Sequence, residues 1–133
     1  MVALGLVVAE YHGPIIEEME TEARSAAAEA GATFVDTIYV PGAYDTPLPA
    51  DRLARRDDVD AVVVLGAIIS GDTDHDQVIG NACAQGLTRV SLDRDTPVTF
   101  GVSGPGMTAA EARDRVEKGA DAVTSAIQLA EEL

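Results

Sequence analysis

The sequence predicts an α/β fold of three layers, in which a four-stranded parallel sheet carries helices on both faces. Short apolar runs rich in β-branched residues alternate with longer segments of helical period, and this alternation is typical of a parallel sheet covered by helices. Val62, Val63 and Val64 follow one another directly, as in a strand that is buried on both faces. The chain has 133 residues, 47% of them hydrophobic, so we expect a single domain over residues 1–133.

Each element has a local signal. Pro14 near the first turn and Gly31 just past the end mark the first helix. Thr108 and Glu111 form a capping-box pattern that opens the last helix, which we expect to run to the C-terminus with a kink at Gly119. The other predicted elements are, in chain order, a strand at 2–9 before the first helix, a strand at 32–40, a loop at 41–47, a short helix at 49–56, a strand at 60–65, a loop at 66–74, a helix at 75–93 and a strand at 97–102.

The order of these elements predicts where a ligand would bind. Right-handed crossovers between successive strands give an open, doubly wound sheet of the flavodoxin-like class, in which ligands bind beyond the carboxyl ends of the strands. The carboxyl edge collects Tyr11 and His12, residues 41–45, residues 66–75 and residues 100–107. We therefore expect the functional site on this edge.

Composition argues against two classes of function. The chain has 9 Lys and Arg against 23 Asp and Glu, a net charge of −14, and no basic stripe that could bind a nucleic acid. The apolar runs at 2–9 and 61–69 are too short to span a bilayer, and no leader precedes the first of them. We expect no nucleic-acid partner, no membrane partner and a cytoplasmic protein.

The acidity itself has two interpretations. Of the nine basic residues, only Lys118 is a lysine and the others are arginines. This pattern fits a solvated acidic surface encoded by an Arg-rich genome, and it also fits adaptation to a salt-rich cytoplasm, in which surface carboxylates hold water and counterions. We favour the second interpretation, a halophilic protein.

The strongest candidate site is the segment 65–75, in which a strand end is followed by glycines and by a helix start that carries His75. The free N–H groups and the dipole of such a helix start can hold a phosphate or another anion. An ordinary helix cap supplied by Asp72, Thr73 or Asp74 explains the segment equally well. A histidine can move protons near neutral pH, although a plain surface histidine is the simpler interpretation of this residue alone.

A metal site in the same segment is disfavoured. The acidic residues around His75 point in different directions from one helix start, and no second Cys or His cluster completes a ligand shell. These acidic residues are Asp72, Asp74 and Asp76. The glycine-rich segment 101–106 lacks the order of a dinucleotide fingerprint and the Lys of a P-loop, so we predict a turn there.

Other residues on the carboxyl edge have both a functional and a structural interpretation. Residues 41–45 (Pro-Gly-Ala-Tyr-Asp) combine an aromatic ring with a carboxylate, which suits a polar ligand that contains a ring, but Pro-Gly alone predicts a turn. Tyr11 and Phe100 either face a ligand or fill the core. Arg115 either binds an anion or pairs with Glu111 one turn earlier.

Taken together, these segments resemble the lumazine synthase family in its short archaeal form. The order and spacing agree over nearly the whole chain, and the pair formed by 41–45 and 71–75 (Gly-Asp-Thr-Asp-His) is the specific part of the pattern. The matching segments are residues 8–11, 40–45, 57–66, 71–75, 97–101 and 103–108. His12 stands where the family more often has Asn, Tyr11 stands where it more often has Phe, and the compact segment around Lys118 also departs from the family pattern.

The resemblance implies a transferase that needs no cofactor. It condenses 5-amino-6-(D-ribitylamino)uracil with 3,4-dihydroxy-2-butanone 4-phosphate to give 6,7-dimethyl-8-ribityllumazine, the penultimate step of riboflavin biosynthesis. His75 would be the general acid and base. Carried over by position, the pyrimidine substrate would be bound by Tyr11, Ala43, Tyr44, Asp45, Ala67, Ile68 and Ile69, with Phe100 from a neighbouring subunit. The phosphate would be bound by Asp72, Thr73 and Arg115. Because the family's sites lie between subunits, a homo-oligomer is implied, either a pentamer or an icosahedral shell of sixty subunits.

Two alternatives share this fold class. Archaeal riboflavin synthase is a relative, but His75 and the phosphate-site pattern favour the lumazine enzyme. A flavin- or nucleotide-binding module of the flavodoxin type would need hydroxyl residues and glycine directly after the first strand. The chain has Glu-Tyr-His-Gly-Pro at residues 10–14 instead.

Overall fold

A computed structural model describes all 133 residues, Met1–Leu133, and contains one four-stranded sheet. The strands are β1 (Ala3–Ala9), β2 (Thr33–Val40), β3 (Ala61–Ile69) and β4 (Val98–Met107). All strand pairs are parallel and the order is β2-β1-β3-β4. The interior strands are therefore β1 and β3, whereas β2 and β4 form the two edges.

Helices cover both faces of this sheet. They are α1 (Gly13–Glu29), α2 (Pro47–Ala54), α3 (His75–Arg94), α4 (Ala109–Arg113) and α5 (Lys118–Glu132), with a 3-10 turn at Ala43–Asp45. On one face, Met19 of α1 and Val123 of α5 belong to a buried cluster with alternate residues of the interior strands. On the other face, Leu53 of α2 and Leu87 of α3 form a second cluster with the intervening strand residues. The predicted three-layer, flavodoxin-like α/β class is confirmed.

The strands β3 and β4 are longer than the sequence predicts. The strand β3 continues to Ile69, which pairs with Met107 of β4. The predicted loop at 66–74 is therefore wrong for its first residues, which include Ala67, Ile68 and Ile69 and which lie in β3. The predicted turn at 101–106 is also wrong, because this segment is a bend within β4 and has positive φ angles of 92° at Gly104 and 79° at Gly106. The prolonged β3 supplies backbone partners that keep the glycine-rich segment in the sheet.

The last helix is interrupted rather than kinked. The predicted capping box is confirmed, because the Glu111 N–H donates to Thr108 Oγ1 at 3.1 Å and the Thr108 N–H donates to Glu111 Oε1 at 3.0 Å. The helix then stops at Arg113 and α5 begins at Lys118. The predicted kink at Gly119 is wrong. A Cβ at this position would collide with the carbonyl oxygen of Met19, so the glycine allows close packing of α5 on α1 instead.

Candidate active site

A cavity of about 300 Å³ opens at the carboxyl edge of the sheet, beyond the ends of β1 and β3. This size lies at the lower end of the range for small-molecule sites. The cavity is lined by Tyr11, His12, Gly42, Ala43, Tyr44, Ala67, Ile68, Ile69, Gly71, Thr73, His75, Asp76 and Ile79. The sequence predicts a role in substrate binding or catalysis for eight of these residues.

The wall after β1 is formed by an exposed tyrosine and a half-buried histidine. The Tyr11 side chain is 70% exposed, and its ring meets the His12 ring edge to face with 4.5 Å between centroids. His12 directly precedes α1 and has a left-handed backbone conformation, with φ at 67°. Among residues other than glycine, Asn, Asp and His are the ones enriched in this conformation. Burial lowers the pKa of the His12 imidazole, which favours its neutral form.

The wall after β2 is a short turn held from inside the protein. The Tyr11 N–H donates to Pro41 O at 2.9 Å, which ties this turn to the end of β1. The buried Thr46 hydroxyl donates to Ala43 O at 2.8 Å and lies 3.4 Å from Cys83 Sγ of α3. The turn that carries Ala43 is therefore held both by the end of β1 and by the buried Thr46. Burial raises the pKa of Cys83, as expected of an inert thiol inside the core.

The Asp45 carboxylate does not line the cavity. Its Oδ2 accepts the Gly42 N–H at 3.0 Å, and its side chain borders a separate surface depression together with Tyr44, Pro47, Leu48 and Ala82. Tyr44 borders both the depression and the cavity. One carboxylate oxygen of Asp45 thus supports the turn, and the residue lies next to the cavity rather than in its wall.

The wall after β3 carries the start of α3. The chain is exposed from Gly71 to His75, and Thr73 Oγ1 accepts the His75 N–H at 3.3 Å. Asp74 occupies the N-cap position without a capping hydrogen bond from its side chain. Thr73 and His75 line the cavity, whereas Asp72 does not. A helix start with exposed N–H groups beside a histidine can hold an anion and move a proton.

Phe100 and Arg115 also lie outside the cavity of their own chain. Phe100 is half-buried on β4, where its strand position is paired with Val64. Arg115 is exposed between α4 and α5 and forms no ion pair. The alternative pairing of Arg115 with Glu111 is wrong as a direct ion pair, because the Glu111 carboxylate bonds the Thr108 N–H instead.

The cavity also contains residues that sequence reasoning gave no substrate role. They are His12, Gly42, Gly71, Asp76 and Ile79. Asp76 appeared in the sequence only as a disfavoured metal ligand, and no group of three or more His, Cys, Asp or Glu side chains is placed to hold a metal ion. One available signal for Asp76 was its spacing, since Gly80 follows it by one helical turn and shares its face of α3.

An α/β subunit with such a cavity at the carboxyl ends of its strands belongs to the class of small-molecule enzymes that bind ligands at this edge. The chain belongs to the 6,7-dimethyl-8-ribityllumazine synthase family, whose model matches residues 1–133. This match confirms the resemblance found in the sequence, and it favours neither the riboflavin synthase nor the flavodoxin-type alternative.

Relatives with the same printed name, 6,7-dimethyl-8-ribityllumazine synthase, match along nearly their whole length. The protein of Halobacterium salinarum is 68% identical over 133 residues, which are 100% of both chains. The protein of Halorubrum lacusprofundi is 66% identical over 100% of this chain and 99% of its own. The protein of Methanosarcina barkeri is 45% identical over 99% of this chain and 98% of its own. The first two organisms are halophilic archaea. None of the helices has the length and apolar character needed to cross a membrane.

Proposed function

We propose that this chain condenses 5-amino-6-(D-ribitylamino)uracil with 3,4-dihydroxy-2-butanone 4-phosphate to form 6,7-dimethyl-8-ribityllumazine. The main support is the cavity, in which Ala43 and Tyr44 from one specific segment line the same space as Thr73 and His75 from the other. Family membership supports the same reaction. Neither segment identifies the reaction alone, whereas their meeting in one cavity provides both a ring-binding wall and an anion-binding wall.

The pyrimidine substrate is assigned to the walls after β1 and β2. The exposed face of the Tyr11 ring stacks on the pyrimidine, and Ala43 and Tyr44 of the turn hold its edge. The ribityl chain extends toward Asp45, whose second carboxylate oxygen accepts its hydroxyl groups. Along the wall of β3, the pyrimidine ring meets the segment formed by Ala67, Ile68 and Ile69.

His75 is assigned the proton transfers. The substrate's own amine attacks the ketone, so the protein needs no covalent nucleophile. The protein has to align two molecules and move protons while the imine forms, water leaves and phosphate is eliminated. An exposed histidine at the start of α3, beside the anion site, can reach these atoms.

The phosphate is assigned to the start of α3 and to Arg115. The N–H groups of Asp72 and Thr73 and the helix dipole favour an anion at this position. An arginine completes such a site well, because its planar fork makes paired hydrogen bonds to phosphate. Five of the eight arginines already have acidic partners in the chain, whereas Arg115 has none.

A homo-oligomer is part of this proposal, and the positions of two residues support it. Phe100 and Arg115 do not line the cavity of their own chain, so a second copy supplies them, with a pentamer as the minimum assembly and a sixty-subunit shell as the larger alternative. Exposed apolar side chains beside the cavity suit such an interface. They are Tyr44, Leu48 and Val78.

A direct assay tests the reaction. The protein is mixed with both substrates at molar salt, with and without a chelator, and the fluorescence of the lumazine product is followed against the spontaneous rate. We expect turnover well above that rate and equal in both samples. Product formation at only the spontaneous rate, by protein shown to be folded, would refute the proposed function. Riboflavin formation from lumazine alone would instead favour the riboflavin synthase alternative.

The proposed oligomer is tested by measuring its mass and activity over a range of salt concentrations. A pentamer carries five times the chain's charge of −14, a formal −70. The screening length grows from about 3 Å at 1 M salt to about 30 Å at 0.01 M, so dilution exposes the subunits to mutual repulsion. We expect sedimentation to show dissociation and activity to disappear over the same salt range. An active monomer at any salt concentration would contradict the shared site.

A further inference from the structure

Asp76 is a buried carboxylate in the wall of the cavity, and the proposed reaction does not require it to bind substrate or to move a proton. It lies in the first turn of α3, and it is 8% exposed. Its Oδ2 accepts the Gly106 N–H at 3.0 Å and a longer hydrogen bond from the Ser70 hydroxyl at 3.4 Å. No cation forms an ion pair with it. Asp76 thus joins three segments: the residue after β3, the first turn of α3 and the bend of β4.

The bend of β4 is packed closely between the other two segments. A Cβ at Gly104 would collide with the carbonyl oxygen of Ile68 in β3. On the opposite side, a Cβ at Gly80 would lie 2.7 Å from Pro105 Cδ. Gly80 follows Asp76 by one turn, so both lie on the face of α3 that meets the bend. Because Gly80 has no side chain, α3 can approach Pro105 of the bend closely. The Asp76 carboxylate makes the one side-chain hydrogen bond between α3 and β4.

The two segments that meet the bend also both line the cavity. Ile68 lies in the wall formed by β3, and His75 lies in the wall formed by the start of α3, next to Asp76 in the chain. The bend and the Asp76 carboxylate therefore connect these two walls. Hydrogen bonds to a carboxylate in a water-poor site are strong, and small displacements of reacting groups are costly to rate.

We propose that Asp76 is a positioning residue: its hydrogen bond to Gly106 holds the first turn of α3 against the bend of β4 and thereby fixes His75 over the bound substrates. This inference rests on the proposed function for its effect on rate. Its structural part, the link between α3 and β4, is independent of the reaction. This role needs no contact with substrate, because it is carried by Oδ2, which accepts hydrogen bonds from Gly106 and Ser70.

Three variants test this role. Asp76→Ala removes the link, while Asp76→Asn keeps a carbonyl oxygen that can accept the Gly106 N–H. The control is Thr99→Val, which removes another buried hydrogen bond from β4, that of Thr99 Oγ1 to Ala122 O at 2.9 Å. Ala122 belongs to α5, and neither residue of this pair lines the cavity. The control therefore reports the cost of weakening β4 away from His75.

The expected result is a split between kcat and KM. At molar salt, Asp76→Ala lowers kcat by about ten- to a hundredfold, because His75 loses its fixed position. The KM for the pyrimidine substrate changes by less than about twofold, since the walls after β1 and β2 are untouched. Asp76→Asn recovers most of the lost kcat. Thr99→Val lowers thermal stability but keeps the native kcat per folded molecule.

Amide hydrogen exchange supplies a readout that does not need turnover. In Asp76→Ala, exchange quickens in residues 75–78 and 104–107, and in Thr99→Val these segments exchange as in the native protein. A native kcat in Asp76→Ala, or equal losses in both variants, overturns the positioning role. If the native protein makes no lumazine, the proposed function and the effect on rate both fail. Unchanged exchange at both segments in Asp76→Ala overturns the link itself, whatever the activity.

Discussion

The predicted site residues fall in two regions of the molecule that differ in what they lack. Around the cavity at the ends of β1 and β3, the chain supplies an exposed aromatic ring, a helix start and His75, but no cation lines this space. On the side of β4, α4 and α5 it supplies Phe100 and Arg115, but neither residue reaches the cavity. The cavity lacks a cation, and the region of β4, α4 and α5 contains one in Arg115. This division supports the proposal that two copies together complete one site.

The arginines show the same division. Arg56 lies 2.7 Å from Asp36 and 2.8 Å from Asp58, and this pairing lowers the pKa of Asp58. Arg94 lies 2.7 Å from Asp51 and lowers the pKa of that carboxyl group. In contrast, three cations between the end of α4 and the start of α5 have no ion pair: Arg113, Arg115 and Lys118. In a chain with 23 acidic and 9 basic residues, three unpaired cations in one segment are unusual, and they support the proposed contact of Arg115 with phosphate.

The largest expected effect belongs to the cavity. His75→Ala should lower kcat by about ten- to a thousandfold, because it removes proton transfer while substrate alignment survives. The KM for the phosphate substrate should stay near its native value. Steady-state kinetics with each substrate varied in turn measures both quantities. A raised KM with native kcat would show that His75 binds substrate rather than moving protons.

The second largest effect is expected at Arg115, between α4 and α5. Arg115→Ala should raise the KM for the phosphate substrate by about ten- to a hundredfold, since a charged hydrogen-bond donor to the phosphate is lost. Arg94→Ala is the matched control, because it removes an exposed arginine that is already paired with Asp51. The control should leave KM unchanged and alter thermal stability only slightly, because an exposed ion pair contributes little. Equal changes in KM for both variants would point to net charge rather than to a specific contact.

The smallest effect is expected at His12. Asn accepts the left-handed backbone conformation, so His12→Asn should keep kcat/KM within about threefold of native. The lowered pKa means that the unfolded chain takes up this proton more readily than the folded protein, so native stability should fall as the pH decreases below the ordinary value of 6.5. In His12→Asn the titrating imidazole is absent, so the unfolding temperature should decrease less as the pH is lowered. His12→Val, which is β-branched and strained at positive φ, should instead destabilise the protein by about 1 kcal/mol or more.

Sequence periodicity was sufficient to predict the sheet, because Val62, Val63 and Val64 and the alternating helical segments are local signals. It failed where contacts distant in the chain decide the structure. The segment 101–106 has the glycines and proline of a turn, yet residues 101–103 pair with the prolonged β3 and the pairing resumes at Met107. Gly119 looks like a kink in isolation, whereas its role is set by Met19 of another helix.

The site residues that the sequence predicted likewise depend on local signals, whereas those that it missed depend on contacts distant in the chain. Tyr11, Thr73 and His75 lie between the end of a strand and the first turn of the next helix, so the topology alone predicts that they share an edge. Asp76 was missed because its burial depends on Gly106, 30 residues away. Arg115 stayed ambiguous in the sequence because the predicted capping role of Glu111 did not exclude an ion pair with Arg115, and the structure contains no such pair.

Complementation between two impaired variants tests the shared site most directly. Chains with His75→Ala and chains with Arg115→Ala are expressed together, and mixed oligomers are isolated at molar salt and assayed at low phosphate substrate. If His75 and Arg115 of one site come from different copies, random mixing should restore roughly a quarter of the native sites. The mixture should then be far more active than either variant alone. A mixture no more active than the average of the two variants would show that each chain holds both residues of its own site, and would contradict the account.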